Sequence, residues 1–97
     1  MKRLYVVVRD DLTKSQKTVQ SIHAASEYLL KENGHGWDNG TVVCLKVRNE
    51  FELNILSNKL KLEKITYQTF LEPDLNNSLT AIALVSEKKM FDNLSLL

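Results

Sequence analysis

Five consecutive apolar residues, Leu4-Tyr5-Val6-Val7-Val8, stand between Arg3 and Arg9 with no polar break. A strand wetted on one side alternates apolar with polar residues. An unbroken, β-branched run therefore reads as a strand covered on both faces. Such a strand belongs inside a sheet that carries a layer on each side, and the remaining chain must supply those layers.

The following pattern does so. Asp10-Asp11-Leu12-Thr13-Lys14 ends the run, and Ser15 is a suitable N-cap for a helix over 15–32. Val19, Ile22, Ser26, Leu29 and Leu30 recur there at helical spacing, with His23 and Ala25 completing the face. All three glycines fall within Asn33–Gly40, which marks the main loop. Thr41–Val47 predicts a strand near 41–48. Asn49, with Glu52 three residues on, forms a capping-box-like start for a helix over 50–61. Its buried stripe is Leu53, Leu56 and Leu60, flanked by Phe51 and Ile55. Ile65–Phe70 alternates and predicts a strand near 64–70. Leu71–Leu79 holds the single proline and reads as a polar loop. Thr80–Val85 predicts a strand near 79–86, and Ser86 can cap a short helix over 87–93 that includes Met90 and Phe91.

The order is βαβαββα. Strands joined through helices favour parallel neighbours with right-handed crossovers, whereas the nine-residue link between the last two strands fits an antiparallel pair. The expectation is one α/β domain over 1–97, a three-layer α/β/α sandwich on a four-stranded mixed sheet with its last strand antiparallel. Ligands on such sheets bind outside the carboxyl ends of the parallel strands, here the Asp10–Gln16 turn and the Phe70–Leu79 loop.

Charge and composition narrow the function. Thirteen Lys and Arg against twelve Asp and Glu leave a formal charge of +1, so bulk charge does not drive nucleic-acid binding. The excess is regional, since Met1–Lys31 holds six basic and three acidic residues. Cys44 is the only cysteine and reads as a structural thiol in a strand; one cysteine forms no internal disulfide. The N-terminal apolar run is too short for a signal-peptide core or a membrane span, which gives a soluble, cytoplasmic expectation. Glycine-rich nucleotide loops, a nucleophile elbow and metal-ligand spacings are absent from the sequence.

Two clusters could carry chemistry. Lys14, Ser15, Lys17, Gln20 and His23 gather around the start of the first helix, where unpaired N–H groups and lysines favour a phosphate or an oxyanion. In this cluster the bland alternative is a solvated lysine face with a core histidine. Glu72, Asp74, Asn76, Asn77 and Thr80 form the second, and a carboxylate there could act as a base or orient water. Its bland alternative is an Asx-rich turn before a strand.

Leu4–Leu12 resembles the V-V-R-x-D-L opening of the type 2 peptidyl-tRNA hydrolase family. Gln20-Ser21-Ile22-His23-Ala24-Ala25 is similar to its Q-x-x-H-A-A helix. Trp37–Val47 resembles its tryptophan-then-glycine approach to a K-V-V-L-K-V strand, and Glu50–Leu53 its E-x-x-L helix start. Thr80-Ala81-Ile82-Ala83 falls where the family has T-V-L-G or T-V-L-A, and Leu94–Leu97 resembles its L-K-L ending. The resemblance covers nearly the whole chain and keeps the order of elements.

It implies a four-stranded mixed sheet between helices and hydrolysis of the ester joining a peptide to the 3′ end of tRNA. The implied partner is tRNA, no cofactor is required, and a homodimer is the assembly to test. In that reading Thr80, at the family's own position, positions water or the ester, Lys17 stabilises negative charge, and Glu72 or Asp74 substitutes as base. Lys14, Gln20 and His23 are the substrate-binding residues, with His23 bracing the helix rather than reacting. The chain departs from the family in two places. The G-K pair falls on Ser15-Gln16, with a lysine one position later at Lys17. The D-A-G-x-T-Q segment is missing, leaving Gln68 and Glu72 at its Asp and Thr positions. The alternative reading is a redirected member of the fold that binds RNA, a nucleotide or a protein.

Overall fold

The structure, a computed structural model, describes residues 1–97. The strands are β1 (Arg3–Arg9), β2 (Val42–Val47), β3 (Gln68–Glu72), β4 (Ser78–Ser86) and β5 (Ser95–Leu96). The helices are α1 (Lys14–Glu32) and α2 (Glu50–Leu62), with 3₁₀ turns at Asn33–Gly36 and Pro73–Leu75. They build a mixed α/β fold on one sheet of order β3-β4-β1-β2-β5. β1 is parallel to β2 and antiparallel to β4, and β3 and β4 are antiparallel as the short link required.

The sheet has five strands rather than four, and the difference lies in the last ten residues. No helix forms over 87–93. The Tyr5 hydroxyl donates to the Lys88 carbonyl at 3.2 Å and accepts from the Met90 N–H at 3.1 Å, so it takes backbone groups that a helical turn would need. The Tyr5 ring meets Phe91 edge-on at 5.7 Å. Held there, the chain turns at Phe91 (φ 60°) and returns as β5 along β2, with Leu45 opposite Leu96.

β3 also starts later than its alternation suggests. The Ile65 N–H bonds the Leu60 carbonyl and the Lys64 N–H the Lys61 carbonyl, a Schellman ending of α2 with Lys64 at φ 58°. Ile65 is thus the apolar residue after a helix cap. Tyr67 follows, bonded to Ser57 of α2 at 2.8 Å.

α1 begins at Thr13 rather than Ser15. Thr13 Oγ1 accepts from the Gln16 N–H, and Gln16 Oε1 accepts from the Thr13 N–H, closing a capping box. Asn49 caps α2 as expected by accepting from the Glu52 N–H. The Glu52 carboxylate, however, reaches the N–H and guanidinium of Arg48 instead of returning to Asn49.

The core is Leu4–Val8, Leu45 and Val47 of β2, Leu79, the Ala81–Val85 run and the buried apolar residues of both helices. The buried face of α1 is Gln20, Ala24 and Tyr28, whereas Ile22 is 61% and Leu30 78% exposed. Of the apolar stripe in the sequence, Val19, Ile22 and Leu30 therefore point outward, while Ala25 and Leu29 pack at the edge of the core. A polar residue sits inside because partners await it, and the small Ala24 lets α1 lie close to a sheet whose β4 carries Ala81 and Ala83.

Candidate functional site

The start of β4 is fixed first. The Leu79 N–H donates to Glu50 Oε2 of α2 at 2.8 Å, and its carbonyl accepts from Arg9 Nη1 at the end of β1 at 3.3 Å. The next residue is the irregular one. Phe70 pairs with Ala81 but Leu71 with Leu79, so Thr80 is an extra residue in the ladder. Its side chain turns to α1, where Oγ1 donates to Gln20 Oε1 at 2.7 Å and lies 3.2 Å from the Phe70 carbonyl.

Gln20 passes the contact on. Its Nε2 donates to Glu72 Oε1 at 2.7 Å, while Glu72 Oε2 accepts from the Asp74 N–H at 3.2 Å. A carboxylate can only accept, so the amide must turn its nitrogen to Glu72 and its oxygen to Thr80. The chain Thr80–Gln20–Glu72 thus has a fixed polarity and aims one carboxylate. The Gln20 hydrogen bond, the Asp74 N–H and the charge of nearby His23 hold the Glu72 carboxyl below the ordinary glutamate range. It is an ionised acceptor at neutral pH.

The remaining expected residues divide. His23 is exposed and not a core histidine, and its ring stacks on Phe70 with centroids 4.4 Å apart and planes 6° from parallel. Lys17 lies three residues before Gln20, on the same side of α1. Its amine binds Asp10 Oδ1 at 2.7 Å. Asp74 contributes its backbone only; its carboxylate and Lys14 are exposed and make no side-chain hydrogen bond or ion pair. Gln20, Glu72 and Thr80 are therefore brought together, Lys17 is held beside them by another partner, and Asp74 and Lys14 stand apart. Thr80 has no exposed surface, so it reaches substrate only through Gln20 and Glu72.

Sequence reasoning missed Asp10 and Lys46. The Lys46 amine from β2 lies 3.7 Å from Asp10 Oδ2, so two lysines from different elements share one carboxylate. The available signal was the register: Asp10 leaves β1 just past Arg9, and Lys46 stands opposite Val8 on the neighbouring parallel strand. A cavity of about 550 Å³ lies elsewhere, between α2 and the C-terminal segment. None of the expected site residues lines it.

No family model and no curated protein matches the chain. A solved structure does: a protein of unknown function from Agrobacterium tumefaciens str. C58 superposes with a TM-score of 0.74. The match covers 99% of this chain and 97% of that one at 16% identity. The likeness is one of fold. No helix is long and apolar enough to cross a membrane.

Proposed function

We propose that the protein hydrolyses the ester at the 3′ end of peptidyl-tRNA or a related aminoacylated tRNA. The observation that carries this reading is the Thr80–Gln20–Glu72 chain. It joins the glutamine and threonine of the family resemblance to an ionised carboxylate in the place where the family's own segment is absent. Layering supports it as well. Phe70 and Thr80 turn towards α1, while Val47 shares the cavity beside Ile55, Leu56 and Leu60 of α2, as expected of helices on both faces of the sheet.

Ester hydrolysis needs a directed water and positive charge near the oxygen that becomes anionic. Glu72 is the catalytic base or water-orienting group. Lys17 supplies charge to the ester oxygen and the terminal phosphate. Thr80 and Gln20 are positioning residues that fix the Glu72 rotamer. His23 on Phe70 presents an aromatic ledge beside the carboxylate, suited to an unstacked base. The protein acts without a cofactor in this scheme.

A second reading, a binding protein on the same scaffold, is favoured by one contact: Lys17 is neutralised by Asp10. A peptidyl-tRNA hydrolysis assay at low and moderate salt separates the two. A hydrolase turns over above background, and Lys17→Ala lowers the rate on the order of 10²–10³ with folding intact. Binding of tRNA without turnover by a well-folded sample supports the second reading.

A further inference from the structure

The outward side of α1 lacks what a solvent-facing helix face ordinarily carries. From Ser15 to Leu30 no exposed residue is an Asp, Glu, Lys or Arg. The two charges within that span are half-buried and already paired, Lys17 with Asp10 at 2.7 Å and Glu27 with Lys31 at 3.0 Å. What stands exposed is an apolar ridge, with Val19 at 46%, Ile22 at 61% and Leu30 at 78%. A helix lying on a sheet turns charged and polar residues to water on this side. Ser15, Val19, Ile22, Ser26 and Leu29 also follow the alternating four-and-three spacing of a helix-pairing seam. The small serines among them leave room for large side chains from a facing helix.

We propose that this stripe receives the same stripe of a second copy of the chain, the two α1 helices packing antiparallel about a twofold axis. Charge selects this occupant. A twofold contact sets a patch against itself, so a patch with a net charge repels its copy, whereas this one brings no unpaired charge. The antiparallel order sets large against small at the centre: Ile22 faces the partner's Ser26 and Val19 faces the partner's Leu29, each twice by symmetry. It also brings Lys14, exposed and without an ion pair, to the C-terminal end of the other α1, where the helix dipole is negative. α2 fits such a contact less well. It exposes Phe51, Ile55 and Leu62, but Lys59, Lys61 and Glu63 stand exposed around them with no ion-pair partner. Pairing α1 with the α2 of a copy would be head-to-tail and would not close. A seam about 22 Å long and roughly 10 Å wide falls short of the ~800 Å² per partner of a standard interface, so the dimer is reversible and depends on concentration. The inference does not rest on the hydrolase reading, because Gln20 is buried on the other side of α1.

Sedimentation equilibrium of the full chain over about 1–500 μM reads the association directly. The mass is expected to rise with concentration from 11.1 kDa toward twice that value. Ile22→Glu sets an unpaired charge into each half of the seam. It is expected to weaken association about tenfold or more, with the fold intact because Ile22 is mostly exposed. Mixing Ile22→Glu protein with Ser26→Lys protein is expected to restore association, because residues 22 and 26 face one another across antiparallel helices. Leu62→Glu, on α2, is expected to leave the dimer as it is. A chain that stays monomeric at every concentration overturns the proposal and leaves the stripe to a different partner. Association indifferent to Ile22→Glu, or abolished by Leu62→Glu, overturns it as well, and growth beyond a dimer would point to head-to-tail stacking instead. Failure of Ser26→Lys to restore the dimer overturns the antiparallel arrangement. Should Ile22→Glu fail to fold, Ser26→Glu carries the same test, with Ile22→Lys as its complement.

Discussion

At the scale of single residues, the fold spends a buried hydrogen-bond chain on aiming one carboxylate. Gln20 is 3% exposed and Thr80 not exposed at all, so water cannot readily replace the bond from Thr80 Oγ1 to Gln20 Oε1. Thr80→Val keeps the shape but removes the donor, leaving Gln20 Oε1 buried without its partner. We expect a loss of about 1–3 kcal/mol in unfolding free energy, read from denaturant titration. Glu72 gives a pH signature. Its carboxyl is held below the ordinary range, so its contribution to stability is complete above the unfolded value of about 4.3 and is lost as pH falls through the lower folded value. The stability gap between wild type and Glu72→Gln should therefore be constant near neutrality and shrink below about pH 4. A gap that widened with acid would contradict the geometry at Glu72. The sequence marked Gln20 as a candidate but not its burial, because a polar residue beside an apolar stripe is ordinarily placed outside.

At the scale of elements, the strands Arg3–Arg9, Val42–Val47 and Ser78–Ser86 follow the runs that announce them, since continuous β-branched apolar segments have few other places to go. The misplaced boundaries have local causes that periodicity does not record. Lys64 takes a left-handed conformation usually given to glycine, and its Schellman bonds carry α2's ending through Ile65. Lys64→Gly should stabilise the protein by about 1 kcal/mol, seen as a raised midpoint in thermal or denaturant unfolding. A destabilisation of similar size would show that the cap is not what ends α2. The absent C-terminal helix traces to a single distant hydroxyl. Tyr5→Phe removes both bonds to Lys88 and Met90 while retaining the ring against Phe91. Amide exchange at Met90 should quicken several-fold with the β1–β4 ladder unchanged, because the lost bond protects that N–H alone. Unaltered protection there would mean that packing, and not the hydroxyl, sets the return of the chain.

At the scale of the whole molecule, the sheet order and the two helices bring the end of β1, the start of α1 and the β3–β4 hairpin to one edge. The topology rule pointed to the Asp10–Gln16 turn and the Phe70–Leu79 loop as neighbours, and of the candidates on either side Gln20, Glu72 and Thr80 are hydrogen-bonded, whereas Asp74 and Lys14 are not. Asp10 escaped notice because its role depends on Lys46, thirty-six positions away in the chain and adjacent only across a parallel ladder. With a net charge of +1, the proposed recognition of an RNA end would come from local placement rather than from a general field. The proposed activity places ester hydrolysis at this edge, through Glu72. The direct measurement is single-turnover release of peptide from peptidyl-tRNA at saturating enzyme, with wild type and Glu72→Gln side by side. The expected result is measurable release by wild type and a loss of about 10²–10⁴ in the variant, with both proteins folded. Equal rates for the two, or no release by wild type above the uncatalysed background, would contradict it.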